Sequence, residues 1–246
     1  MDLSVVVPVR NEADNIRPLI EEIRDALQGK IEYEIIYIDD GSDDETPQRL
    51  QQMMAELPQL RVLRHVVNCG QSTSVRSGVR VAQADWIATL DGDGQNDPAD
   101  IPAMFAVIQG DNAPANLQMV AGWRHKRQDN WLRKLSSRVA NKVRSSMLRD
   151  STPDSGCGLK VFSRQAFLEL PYFNHMHRFL PALIIRNGGV IDTVKVNHRP
   201  RTMGTSKYGL HNRLWVGLVD LFGVRWLLKR AKLPEVVEQP RESGGQ

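Results

Sequence analysis

Apolar residues in the first hundred positions fall into short continuous runs separated by polar, helix-patterned stretches. LSVVVPV (3–9), YEIIYID (33–39), RVLRHVV (61–67) and DWIATLD (85–91) have the length and β-branched content of strands. Continuous apolar character is what a strand covered on both faces requires. Between these runs, residues 15–27, 46–56 and 72–83 carry helical patterning, with Thr46 and Pro47 as the expected N-cap and first position of the second helix. A further strand is predicted over 117–122. This alternation predicts an α/β fold built on a parallel sheet, and open sheets of that kind bind ligands beyond the carboxyl ends of their strands. Pro8 to Glu12, Asp39 to Ser42 and Asp91 to Gln95 are therefore expected to face one crevice.

The fourth run ends in TLDGDGQND (89–97), which gathers hard oxygen donors at the end of a buried strand. In an extended segment side chains alternate, so Asp91, Asp93 and Gln95 are predicted to point to one side and offer a divalent cation two carboxylates and an amide oxygen. Mg²⁺ or Mn²⁺ suits such donors. A polar turn leading into a helix capped by Asp97 is the plainer reading of the same residues. An EF-hand is excluded, because Pro102 stands where the twelfth-position Glu would be. Ions of this class bind through one or two carboxylates plus substrate phosphates, which makes a nucleotide diphosphate the natural guest. The first strand turn reads PVRNEAD, with neither G-x-G-x-x-G nor G-K-[ST], so a dehydrogenase-type dinucleotide site and a P-loop are both excluded.

At 246 residues and 41% apolar content the chain suits one large α/β domain. Two cysteines, Cys69 and Cys157, make no disulfide framework, and the chain opens directly into a strand pattern. Both features favour a cytoplasmic setting. The net charge of +3 says less than its distribution. Residues 122–149 hold nine Lys or Arg against one acid, Asp129. Leu132, Leu135, Val139, Val143 and Met147 recur there at helical spacing, with Arg133, Lys134, Arg138 and Arg144 on the flanks and back. Such a helix suits an anionic membrane surface, or packs on the core with a solvated basic face. Sparse aromatic interleaving argues against nucleic acid.

The apolar stretch 214–228 would be roughly 22 Å long as a helix, short of the ~30 Å hydrocarbon core. It also carries Asp220 and Arg225, so it is not expected to span a membrane. Trp215, Val219, Phe222 and Trp226 share one arc, opposite Arg213, Gly217 and Asp220. This helix could lie in the interface or make a core or subunit contact. The expected division is a catalytic domain over 1–211, an amphipathic helix over 212–232 and a disordered tail over 233–246.

The series VVVPVRNEADNI, EIIYIDDGSDDET, NCGQSTSVRSGVRVAQADWIATLDGDGQNDP, VAGWR, PDSGCGLKVF and RPRTMGTSKYG resembles the family 2 glycosyltransferases, in particular their dolichol-phosphate mannosyltransferase-like, polyprenyl-phosphate branch. The resemblance covers about residues 3 to 210. It implies a GT-A fold with a mixed, mostly parallel sheet. It also implies an activity: transfer of a hexose from a UDP or GDP sugar to a polyprenyl phosphate, for cell-envelope glycan or glycolipid modification. By position, it implies that Pro8, Arg10, Glu12, Ile38, Asp39, Asp40, Ser42, Asp91 and Gly92 line the nucleotide-sugar site. Asp91, Asp93 and Gln95 would hold Mg²⁺ or Mn²⁺, and Arg201 and Lys207 would close over the phosphates. Cys157 and Lys160 would lie near the acceptor phosphate. Arg10 stands where an aromatic is frequent, and CGL (157–159) stands where many members have Ser-Gly-Phe.

The chemistry of such a transfer has its own demands. A phosphate monoester has a second ionisation near pH ~6, so the acceptor is largely a dianion at neutral pH and already a nucleophile. The difficulty is holding two highly charged phosphates at one anomeric carbon, which calls for cations. Arg124, in GWR, is the candidate for the acceptor phosphate because its planar donors suit bidentate binding. Asp154 would orient those cations, or act as a base if the acceptor were a sugar or protein hydroxyl. A non-catalytic nucleotide-sugar-binding protein is the remaining alternative. Without a spanning helix, the enzyme is expected at the cytoplasmic face of the membrane as a peripheral protein, with an integral membrane protein as a candidate partner.

Overall fold

The computed structural model describes residues 1–124, 144–148, 150, 152–200, 210–234 and 237, with backbone alone for 210–216. Strands and helices alternate as β1 (Leu3–Val9), α1 (Ala13–Leu27), β2 (Tyr33–Asp39), α2 (Thr46–Glu56), β3 (Leu60–Arg64), α3 (Gln71–Val81), β4 (Trp86–Thr89) and α4 (Ile101–Gln109). The second half adds β5 (Leu117–Arg124), β6 (Lys160–Ser163), α5 (Arg164–Leu168), α6 (Leu180–Arg186), β7 (Val190–Val196) and α7 (Leu210–Lys229).

The seven strands form one sheet in the order β3-β2-β1-β4-β6-β5-β7. β1 pairs in parallel with β2 and β4, β2 with β3, and β5 with β7. β6 runs antiparallel to both β4 and β5. The sheet is therefore mixed, and among the described strands β6 alone is reversed. The parallel sheet expected from the strand–helix rhythm alone is corrected at this point, whereas the mixed sheet implied by the resemblance is what forms.

Side-chain alternation explains why the early strands are continuously apolar. In β1, Val5, Val7 and Val9 face a core shared with Ile16, Ile20 and Ile23 of α1. Val6 faces the other core, with Ile36 and Ile38 of β2 and Val75 and Val79 of α3. Helix α3 can lie this close because Gly78 sits against the sheet, where an added Cβ would meet Val6 Cγ1 at 2.6 Å.

Several boundaries differ from those predicted. β3 ends at Arg64, and Val66 and Val67 are 98% and 65% exposed, so the apolar run extended into a loop. Thr46 opens α2 instead of capping it, because its hydroxyl accepts the Glu12 amide at 2.9 Å across the neighbouring loop. Asp97 does cap, accepting from Ala99 N at 3.0 Å at the start of a 3-10 turn, Pro98–Asp100.

Because β1 lies between β2 and β4, the β1–β2 and β3–β4 connections run in opposite directions along the sheet, and the loops after β1, β2 and β4 meet at its carboxyl end. That is the switch point where open α/β sheets form a crevice.

Candidate functional site at the carboxyl edge of the sheet

On the β1–β2 side the loops are stapled by short polar side chains. Asn11 takes a left-handed conformation, φ 52°. Its amide N–H donates to Ser42 Oγ at 2.9 Å, and its side-chain oxygen accepts from Asp43 N at 2.9 Å. Asp44 accepts from Thr46 N at 2.9 Å, and Glu12 accepts from Asn15 Nδ2 at 2.7 Å. Pro8 and Glu12 are half-buried and Arg10 is exposed, so these three edge the crevice. Ile38, Asp39 and Ser42 are interior. Asp39 accepts from Ser42 N at 2.9 Å and lies 3.2 Å from Arg64 Nε.

Asp40 is a hub. Its carboxylate accepts from Cys69 N and Gly70 N, both at 2.8 Å, and pairs with His65 Nδ1 at 2.7 Å. Burial alone would raise its pKa, but the bonds from Cys69, His65 and Gly70 outweigh that and hold the carboxyl below its ordinary range.

Beyond β4 the chain turns, so the expected extended alternation of Asp91, Asp93 and Gln95 is not how these residues meet. β4 stops at Thr89 and Gly94 adopts φ 71°. Asp91 N donates to Asn96 Oδ1 at 3.1 Å, and Asp93 Oδ1 accepts from Gln95 N at 3.2 Å. The Gln95 amide nitrogen lies 3.5 Å from Arg199 O. Asp91 Oδ1 accepts from Gln71 Nε2 at 2.8 Å, from the first residue of α3.

Two glycines make this packing possible. A Cβ on Gly92 would meet Val9 Cγ1 at 2.4 Å, and one on Gly158 would meet Asp91 Oδ2 at 2.1 Å. Burial first, and then the charge of Asp93, push the Asp91 carboxyl above its ordinary range, against the opposing influence of Lys160, Gln71 and Arg124. Two adjacent, partly desolvated carboxylates with hard oxygen donors fit Mg²⁺ or Mn²⁺, because a divalent cation relieves the repulsion that raises this pKa.

The β5–β6 side is built from charge pairs. Arg124, the last residue of β5, donates Nε and Nη2 to the two oxygens of Asp154 at 2.6 and 2.8 Å. The two side chains are 15% and 8% exposed, and although burial alone would lower its pKa, the guanidinium's bond to Asp154 keeps it firmly protonated. Lys160 opens β6 inside the protein and donates to Cys157 O. Burial lowers its pKa, opposed by Cys157, Asp91 and Asp154. Cys157 is sealed, and burial pushes its thiol up. Cys157 and Lys160 thus form the floor beneath Asp91 and the Arg124–Asp154 pair, not its exposed surface.

Arg201 and Lys207 lie outside the described residues, as do the basic segment 125–143 and most of the tail. The chain leading to Arg201 is fixed, however. Arg199 N donates to Gln95 O at 3.0 Å, and its guanidinium bonds Glu22 at 2.6 and 3.0 Å. Arg144, predicted on the flanks and back of the basic helix, is half-buried within the helical turn 144–148, with a side chain only 11% exposed. It is held by Asp150 and by Thr152 O at 2.9 Å, because a buried acid needs a cation. In α7, Val219, Phe222 and Trp226 are 70%, 63% and 58% exposed, while Leu221 and Val224 are buried. No helix among the described residues is long and apolar enough to cross a membrane.

Sequence reading missed Gln71, Asn96, Gly158 and Arg199. The one available signal was the glycine of CGL, a residue type that permits close approach.

Residues 4–170 match the sequence profile of Glycosyl transferase family 2. Dodecaprenyl-phosphate galacturonate synthase of Rhizobium johnstonii is 33% identical over 239 residues, 95% of this chain and 69% of its own length. The undecaprenyl-phosphate 4-deoxy-4-formamido-L-arabinose transferase of Proteus mirabilis is 32% identical over 209 residues, 84% of this chain and 62% of its own.

Among solved structures, a mannosyltransferase of Pyrobaculum calidifontis in complex with GDP-Man and Mn²⁺ superposes with a TM-score of 0.69 at 19% identity, covering 94% of this chain and 65% of that one. Glucosyl-3-phosphoglycerate synthase of Mycobacterium tuberculosis, in complex with Mn²⁺, UDP-Glc and phosphoglyceric acid, gives 0.66 at 17% identity, covering 95% and 81%. The profile match and the identity to these relatives, on a sheet of GT-A architecture, establish that the chain belongs to glycosyl transferase family 2.

Proposed function

We propose that this glycosyltransferase moves a sugar from a nucleotide diphosphate to a polyprenyl phosphate, with inversion and with a divalent metal. The observation that carries the reading is a juxtaposition at one sheet edge. Asp91, next but one to Asp93, packs against Gly158 in the loop that runs from Asp154 to the buried Lys160, and Arg124 at the end of β5 pairs with Asp154 in that same loop. Relatives that bear polyprenyl-phosphate names support the acceptor class.

In this reading Asp91, Asp93 and Gln95 hold Mg²⁺ or Mn²⁺, which when bound supplies charge compensation for the leaving diphosphate. Pro8, Arg10 and Glu12 border the nucleotide, while Ile38, Asp39, Asp40, Ser42 and Gly92 shape the wall behind it. Arg124 grips the acceptor phosphate, and Arg201 and Lys207 close over the diphosphate. A phosphate oxygen of the acceptor attacks the anomeric carbon as the bond to the diphosphate breaks, so a single displacement inverts that centre. No strong base is needed, since the acceptor is already an anion. Both oxygens of Asp154 are occupied by Arg124, which disfavours a base role and with it a hydroxyl acceptor.

The exposed Val219, Phe222 and Trp226 of α7 suit contact with the headgroup region at the cytoplasmic membrane face. The purified chain, incubated with Mn²⁺ or Mg²⁺ and labelled UDP and GDP sugars, is expected to label polyprenyl phosphate. Labelling of hydroxyl acceptors alone would contradict the assignment.

A further inference from the structure

A second group of ligand-type side chains lies on the nucleotide side and uses neither acid of the Asp91–Asp93 turn. Asp40 follows β2, His65 follows β3, and Cys69 stands two residues before α3. One carboxylate oxygen, one imidazole nitrogen and one thiol sulfur from these residues lie within 4.8 Å of one another. Asp40 is buried, His65 is half-buried and Cys69 is exposed, so the cluster opens to solvent on its thiol side.

We propose that Asp40, His65 and Cys69 form a binding site for a borderline-soft divalent ion such as Zn²⁺, chemically distinct from the hard-oxygen turn at Asp91 and Asp93. Thiolate and imidazole donors select Zn²⁺ and its substitutes Co²⁺ and Cd²⁺ over Mg²⁺ and Mn²⁺, whereas carboxylates and amides do the reverse. Donor atoms around a tetrahedral zinc lie roughly 3.3 to 3.7 Å apart, given bond lengths of about 2.0 to 2.3 Å. The Asp40 to His65 separation of 2.7 Å and the outer limit of 4.8 Å bracket that spacing.

The surrounding groups are those a zinc site needs. Ligating histidines almost always hydrogen-bond through their second nitrogen, and His65 Nε2 lies 2.9 Å from Ser77 Oγ in α3. Asp40 is oriented by the amides of Cys69 and Gly70, and the His65 backbone is anchored by its N–H to Asp39 O at 2.8 Å. The proton balance is simple. The thiol proton leaves to solvent, the ring proton moves from Nδ1 to Nε2, and Ser77 Oγ turns from donor to acceptor. No group is oxidised or reduced, and three protein ligands leave a fourth position for water.

An ion held there takes up the carboxylate of Asp40 and ties the 65–70 loop to it, which would weaken nucleotide binding. That consequence, unlike the site itself, rests on the nucleotide reading above.

The test is a Cd²⁺ titration of the full chain under saturating Mg²⁺, followed by the ultraviolet cadmium–thiolate charge-transfer band. One equivalent is expected to produce the band in the wild type and in Asp93→Asn. Cys69→Ser should lose it, and Ser77→Ala should weaken binding by about 10- to 100-fold, as loss of an outer partner does. A missing wild-type band, or one that survives in Cys69→Ser, overturns the site. In turnover assays Zn²⁺ should inhibit the wild type at concentrations that leave Cys69→Ser active, with equal rates for both when zinc is absent. A cadmium band without zinc inhibition would overturn the coupling to nucleotide binding while the ion site stands.

Discussion

Acids at the two halves of the crevice are neutralised in different ways. On the β1–β2 side, Asp40 and Asp44 are held chiefly by backbone amides and by neighbouring side chains such as His65, although Asp39 also pairs with the exposed Arg64. On the β5–β6 side, Asp154 and Asp150 are held by the guanidiniums of Arg124 and Arg144. Amide donors belong to the chain and cannot be given up, so they build a fixed wall. A guanidinium with five donors can be shared with an incoming anion. The difference suggests that the nucleotide half is preformed, whereas the acceptor half works by redistributing charge when a phosphate arrives. The Asp91–Asp93 turn lies between the two, and there burial, and then the charge of Asp93, hold the Asp91 carboxyl above its ordinary range despite Lys160, Gln71 and Arg124.

The largest effect is expected where the two halves meet. Asp93→Ala should lower turnover by at least about 10³-fold, since charge developing on the diphosphate is left uncompensated. Circular dichroism should stay unchanged, and near-normal turnover would remove the metal from this turn. Next, Gly158→Ala should reduce turnover by about 10²-fold, because its Cβ would displace the Asp91 carboxylate and misplaced catalytic groups lose rate on that scale.

A smaller pair of effects separates the halves directly. Arg124→Lys is expected to raise KM for the lipid acceptor by roughly tenfold, the order of one charged hydrogen bond, and to leave KM for the nucleotide sugar alone. Asp40→Asn should do the opposite. If both constants rise together in both variants, the two halves are not separable.

The smallest expected effect concerns acid stability. His177, whose Nδ1 pairs with Ser72 Oγ at 2.7 Å, is pushed down by burial to a pKa of about 3. The unfolded chain then takes up a proton before the folded one does as pH falls below the ordinary 6.5. The contribution of neutral His177 is therefore intact above that value and lost progressively toward about 3. His177→Gln should narrow the difference in Tm between pH 7 and pH 5, and an unchanged difference would assign the acid sensitivity elsewhere.

Much of the first half was legible because local rules and tertiary structure agree there. Continuous apolar runs imply strands buried on both faces, and Val5, Val6 and Val7 pack into both cores as that rule requires. The acids of the Asp91–Asp93 turn were visible as residue types, but the premise of an extended chain was wrong, because Gly94 turns it. Apolar letters alone also extended β3 through Val66 and Val67, which stand exposed in the loop beyond it.

The second half was harder to read for a physical reason. β6 has only four residues, and its reversal is set by pairing with β4 and β5, which no local pattern encodes. Gly158 meets Asp91, and Arg199 meets Gln95, only through that topology. Arg144 looked like a solvent or lipid-facing cation because the buried acid that holds it, Asp150, lies six positions further along.

The most direct test of the central claim is anomalous diffraction from crystals soaked with Mn²⁺ and a nucleoside diphosphate. The account predicts one manganese peak between the carboxylates of Asp91 and Asp93, in contact with the diphosphate and on the same edge as Arg124. Bound nucleotide with manganese elsewhere, or with those carboxylates turned away from it, would contradict the account.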